Sequence, residues 1–148
     1  MKLHTTNFGE LEVNSDDIII FPQGIPAFEN LRKFIIIDHQ EDSPFHYLQS
    51  VEEAQLTFVI LEPGTFFPDY QVKLNKNDLT DIGIEDEKDA VVLLMVTIPA
   101  EPKNMTANLQ APLVFNGKRK LGKQVILSDS HYTTRHRLFP EEKLEACK

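Results

Sequence analysis

The feature that most constrains this chain is the spacing of its apolar residues. They fall in short β-branched and aromatic runs, each closed by Gly, Pro, Asn or Asp, and that pattern specifies strands rather than helices. The runs place strands at residues 2–6, 10–13, 18–21, 34–38, 45–49, 57–61, 71–74, 90–98, 105–108, 113–115 and 123–127. The connections between them are too short for helical crossovers. The fold class expected is therefore all-β, a small, mostly antiparallel β-barrel-like domain with one or two short helices. Closure as a barrel or as a compact sandwich is left open. Asn7-Phe8-Gly9 reads as a tight turn, and Asn116-Gly117 as a type I′ turn, since Asn and Gly both tolerate its two positive φ values. One helical turn is expected at 28–32 after Pro26, and a short helix capped by Asn77 or Asp78 that runs through Ile82 and stops at Gly83. Pro140 followed by Glu141 and Glu142 opens either a short helix or a frayed tail.

A chain of 148 residues matches one core, so a single domain over 1–138 with a C-terminal tail over 139–148 is expected. The longest apolar run, 90–96, falls far below the roughly 18 to 20 residues that cross a bilayer. Residues 1–6 lead straight into polar sequence with no apolar segment before them, so the expected location is the cytoplasm, away from membranes. The lone Cys147 can form no intrachain disulfide. Net charge is −8 and is unevenly spread: residues 1–100 carry 18 Asp+Glu against 6 Lys+Arg, and residues 101–148 carry 5 against 9. An acidic body repels nucleic acid and favours a basic protein partner, chiefly by speeding encounter, while the plainer reading is solubility.

Chemistry-bearing motifs are scarce. The six glycines are scattered singly, which leaves no phosphate-binding loop, and zinc, EF-hand and Gly-x-Ser-x-Gly spacings are absent. No cofactor or metal is expected. The closest histidines, His131 and His136, sit five apart in a stretch read as strand, where they would face opposite sides of a sheet. Asp16-Asp17, Glu52-Glu53 and Glu141-Glu142 lie at expected turns, where water screens them and keeps them from acid–base work. The chain therefore reads as a non-enzyme, with a dispersed active site as the remote alternative.

Two Pro/Gly segments read instead as recognition surface or as architecture. The first is 21–28, whose prolines and glycine fix a bent loop bearing Phe21 and Phe28. The second is 62–70, whose Phe66, Phe67 and Tyr70 either plug a barrel end or form a binding pocket. The basic run Lys118-Arg119-Lys120 with Lys123 reads as a solvated hairpin.

The order of motifs carries a further signal. Phe-Pro-x-Gly-Ile-Pro-x-Phe-Glu at 21–29 is followed by Pro44-Phe45-x-x-Leu48-Gln49-Ser50, Phe58-Val59-x-Leu61 with Pro63, and Asp69-Tyr70. Then come Thr97-Ile98-Pro99, the run 107–116 and Gly122-x-Gln124-Val125-Ile126. In this combination the chain resembles the FliW family of bacterial flagellar assembly factors from near Met1 to about Leu138. The resemblance implies a β-barrel-like protein, monomeric alone, with two protein partners. One is CsrA, a small basic RNA-binding regulator that represses flagellin translation, and the other is flagellin, which competes for the same protein. It implies no direct binding of nucleic acid. A dedicated flagellin chaperone is the rival reading. The motif positions implied as candidate partner contacts are Phe45, Leu48, Gln49, Ser50, Asp69, Tyr70, Asn108 and Gln110, joined by Phe66 and Phe67 from the aromatic loop; Asn108 has a purely structural alternative, the satisfaction of buried backbone groups.

Overall fold

The computed structural model describes residues 2–38, 43–127 and 131–139. Among them are strands β1 (Lys2–Thr5), β2 (Gly9–Glu12), β3 (Ile19–Ile20), β4 (Lys33–Ile37), β5 (Phe45–Ser50), β6 (Thr57–Leu61), β7 (Ala90–Thr97), β8 (Thr106–Ala107), β9 (Leu113–Asn116), β10 (Leu121–Gln124) and β11 (His136–Arg137). Two short helices, α1 (Pro63–Phe66) and α2 (Lys76–Asp81), join them. The strands β7-β6-β5-β4-β3-β10-β9 pair in that order, and β9 returns to β7, so the sheet closes into a seven-stranded barrel. Closure removes the exposed edges that an open sheet would present. Among the described residues every strand pairing is antiparallel except one, β10 with β3, where Leu121 stands opposite Ile20. Strands β8 and β11 extend the sheet outward from β7, and β1 with β2 form a separate hairpin.

The period-2 alternation of each strand sorts the apolar residues onto two faces. One set fills the barrel: Phe21, Phe34, Leu48, Ile60, Leu93, Leu113 and Phe115 pack together there. Phe21 meets both Phe34 and Phe115 edge-on, at ring distances of 5.3 and 5.7 Å. The alternate residues leave three apolar patches on the outer wall, and each has its own cover. The β1–β2 hairpin lays Leu3, Leu11 and Val13 over Ile35 and Ile37 of β4. Helix α2 and its flanks bring Leu79, Ile82 and Ile84 onto Val114 and Val125. Helix α1 with β8, β11 and their loops covers Leu61 and Leu94.

Local departures from the sequence reading have identifiable causes. Residues 71–74 form no strand; at the start of this segment Gln71 N–H donates to the Tyr132 hydroxyl (3.1 Å) rather than to a ladder carbonyl. Residues 28–31 make a single turn instead of a helical turn, the last of three successive turns that begin at Phe21, with Gly24 and Ala27 in the left-handed region at φ +69° and +75°. Gly24 is required there, because a Cβ would lie 2.6 Å from the Glu29 Cα. Helix α2 is capped by Asn75, whose side chain accepts from Asp78 N–H at 2.8 Å, two residues before the nearer expected cap, while Gly83 follows its end as expected at φ +73°. The Asn116-Gly117 turn is a four-residue loop: Asn116 Oδ1 accepts from the Lys118 and Arg119 N–H groups, and Lys120 takes the positive φ. The expectation for 140–146 lies outside the described residues.

Two carboxylates clamp backbone and loop to the barrel. Glu52 accepts from the N–H groups of Arg32 (2.8 Å) and Lys33 (2.9 Å), and these bonds hold it below its ordinary value of 4.5. Asp81 is held below 3.8 chiefly by the bond from Lys123 Nζ, at 2.7 Å. A lowered carboxyl value contributes stability that is complete above the unfolded value and is lost as pH falls through the folded one. The melting temperature is therefore expected to fall as pH drops through the acid range. The Glu52→Gln/Asp81→Asn double variant should melt lower at neutral pH and show a flatter acid limb. Parallel acid limbs for the two proteins would show that neither carboxylate matters.

Candidate functional site

Pro63 at the first position of α1 sets φ for the helix and has no N–H to leave unpaired. The helix ends after one turn, with Phe67 N–H donating to Pro63 O at 2.8 Å. The turn sends the two phenylalanines to different neighbours. Phe66 packs between Phe45 of β5 and Phe139, at ring distances of 5.9 and 5.7 Å. Phe67 meets His136 of β11 edge-on at 6.3 Å. Tyr70 lies 4.7 Å from Tyr132, and its hydroxyl donates to Leu109 O at 2.7 Å. The segment 66–70 thus covers the outer wall of β6 and β7 rather than plugging a barrel end.

Its other side lines a cleft of about 310 Å³ whose walls include Phe67, Asp69, Tyr70, His131, Tyr132 and His136. The far wall is fixed to the barrel: Thr133 O accepts from Leu109 and Gln110 N–H at 3.1 and 3.2 Å. Thr133 N–H in turn donates to His136 Nε2 at 2.8 Å. That bond needs a neutral imidazole, and burial, followed by the charge of His131, holds His136 below its ordinary 6.5. Burial also raises the Tyr70 hydroxyl well above its ordinary value, which unfits it for proton transfer near neutrality. The cleft is thus apolar and aromatic, with one exposed carboxylate, Asp69, at its rim.

The two histidines expected on opposite faces of a strand line one cleft together, because the chain over 131–135 is bent and irregular rather than strand. Sequence reasoning weighs His136 only as half of a histidine pair and does not single out Tyr132. The available signal was the concentration of His131, Tyr132, His136 and Phe139, which matches in character the aromatic segment it faces. Among the described residues no group of three His, Cys, Asp or Glu side chains could hold a metal ion.

The motif positions divide by exposure. Phe66, Phe67, Asp69 and Tyr70 form one wall of the cleft. Phe45 lies behind it, against Phe66. Asn108 Oδ1 accepts from Ala111 N–H at 2.9 Å, a bond that turns the chain from β8 toward β9, and Gln110 is half-buried beside it. Leu48, Gln49 and Ser50 have no exposed surface. Leu48 is barrel core. Gln49 Nε2 donates to Ser50 O (3.0 Å), Ala54 O (3.3 Å) and Glu53 O (3.4 Å), while its Oε1 accepts from the Thr57 hydroxyl. Ser50 Oγ accepts from Glu52 and Glu53 N–H at 3.1 and 2.9 Å. All three side chains serve the fold from within.

Known proteins resemble this chain over nearly its whole length. The family model described as FliW protein matches residues 2–138. A flagellar assembly factor FliW of Natranaerobius thermophilus is 42% identical, covering 99% of this chain and 97% of the relative. Another, of Alkaliphilus metalliredigens, is 45% identical over 95% of this chain and 88% of the relative. The crystal structure of a flagellar assembly factor FliW superposes with a TM-score of 0.89 at 42% identity, covering 96% of this chain and 99% of the other. A barrel with its covers in these places, matched along its length by these relatives, identifies the chain as a member of the FliW family of flagellar assembly factors.

Proposed function

We propose that the protein is a non-catalytic regulator that binds CsrA, relieves its repression of flagellin messenger RNA, and is itself withdrawn by flagellin, acting through the aromatic cleft between α1 and β11. Membership of the FliW family over residues 2–138 carries this reading. The geometry supports binding over chemistry. The cleft offers a preformed concave apolar surface, the kind from which interfaces draw most of their energy. Three of its four titratable rings are tied up in the fold, His136 by Thr133 N–H, Tyr70 by Leu109 O and Tyr132 by Gln71 N–H. The acidic first hundred residues suit a basic partner and repel RNA. The site of action is the cytoplasm, where messenger RNA and unassembled flagellin meet.

The test is a titration of the protein into CsrA bound to a flagellin leader RNA, followed by addition of flagellin. Release of the RNA, reversed by flagellin, is the expected result. No release at any ratio would leave the chaperone reading in its place.

A further inference from the structure

The basic loop between β9 and β10 lines a groove separate from the aromatic cleft. Lys118 and Arg119 stand with Lys76 of α2 around a groove of about 730 Å³, floored by Leu79 and Ile84. Both walls are locked in place. The buried Asn116 donates from Nδ2 to Ile82 O at 2.9 Å. Lys123, 16% exposed, binds Asp78 at 2.9 Å and Asp81 at 2.7 Å. Arg119 is placed by contact as well: it lies across the Gly83 turn, where a Cβ would come within 2.7 Å of its Nη1. In a chain with 23 acidic residues against 15 basic ones, cations have partners in excess. Yet among the described residues Lys76, Lys118 and Arg119 make no ion pair, although Glu85 and Asp89 line the same groove.

We infer that this groove is a second binding site, which takes a short acidic peptide segment of a protein partner, its carboxylates on Lys76, Lys118 and Arg119 and an aliphatic side chain on Leu79. Fixed walls and a pre-placed guanidinium lower the ordering cost of binding. Arg offers a carboxylate two parallel donors, whereas the lysines act as point charges. Glu85 and Asp89 select isolated carboxylates over a continuous run of phosphates, which they would repel along with the rest of the acidic body. The groove is separate from the aromatic cleft, and this inference stands whether or not the cleft takes the partners proposed above.

An amide chemical-shift titration of the full chain tests the inference with three probes: an N-acetylated peptide Leu-Glu-Glu-Leu-Glu, its Gln counterpart, and a five-nucleotide uridylate. The Glu peptide is expected to shift the amides of Gly83, Ile84, Lys118 and Arg119, and the Gln peptide to leave them in place. The Lys118→Glu/Arg119→Glu variant should keep its melting temperature, because the backbone N–H groups of these residues, which the variant retains, tie the loop to Asn116, and should bind the peptide at least about tenfold more weakly. Lys103→Glu, on a helical turn elsewhere, should bind normally. Equal shifts from the Glu and Gln peptides, no shift at these amides, or tighter binding of the uridylate would each overturn the assignment.

Discussion

Gln49→Ala is expected to destabilise the protein by about 3 kcal/mol, as much as the loss of a large core side chain. The amide has no exposed surface, and it joins three elements. Its Nε2 serves three carbonyls of the β5–β6 turn, at Ser50, Glu53 and Ala54. Its Oε1 accepts from Thr57, whose Oγ1 also accepts from Asn7 in the covering hairpin at 3.0 Å. Truncation takes the amide donor from the Ser50 carbonyl and the acceptor from the Thr57 hydroxyl, while Glu53 O keeps the Leu56 N–H and Ala54 O the Thr6 N–H, and it opens a void beneath the hairpin. Urea denaturation is the measurement, with Gln55→Ala, an exposed residue of the same turn, as the control expected within about 0.5 kcal/mol of the parent. A Gln49→Ala midpoint equal to that of the control would mean that the turn holds without its amide.

Phe21→Ala is expected to cost about 3 to 5 kcal/mol, the range for deleting a fully buried aromatic, from a total stability on the order of 5 to 15 kcal/mol. Phe21 touches the two sides of the barrel that meet around β3, and its ring fills the space Gly122 leaves free: a Cβ on Gly122 would lie 2.8 Å from its Cζ. The barrel closes across β3 and β10 through a single residue pair, so the ring substitutes for ladder bonds that two short strands cannot supply. Loss of Phe21 should therefore loosen closure as well as lower stability. Hydrogen exchange should report this as faster exchange of the Ile20 N–H, which donates to Lys120 O at 2.9 Å, than of amides on β5 and β6. Uniform acceleration across all strands would show that closure does not depend on this ring.

What the sequence made legible follows from where period 2 is strong. β4 through β7 carry clear runs, and their existence and order follow from those runs, with ends shifted by one residue at most. The stretch 131–136 reads as strand, but of it only His136, with Arg137, pairs, against Thr106–Ala107, because two residues carry no periodicity that would mark the strand's ends. The run 71–74 misled for the opposite reason, since Val72 and Leu74 alternate correctly in burial but the segment pairs with no strand. The same limit governs the site. Phe66, Phe67 and Tyr70 were visible as aromatics in a Pro/Gly segment. Their opposing wall, Tyr132 and His136, is brought there only by the fold. Gln49 and Ser50 are candidate contacts only as positions of the motif; their partners are turn backbone, and strand pattern does not report that.

The claim that the protein acts by binding through its aromatic cleft is tested most directly at Phe67, which lines the cleft while remaining only half-buried. Calorimetric titration of Phe67→Ala against CsrA and against flagellin, alongside its thermal melt, separates an anchor from a structural ring. Truncation of an anchor costs roughly 2 kcal/mol or more of binding, about a thirtyfold loss of affinity. The account predicts that loss for at least one partner with a nearly unchanged melting temperature. Normal affinity for both partners in a variant that folds as well as the parent would contradict it.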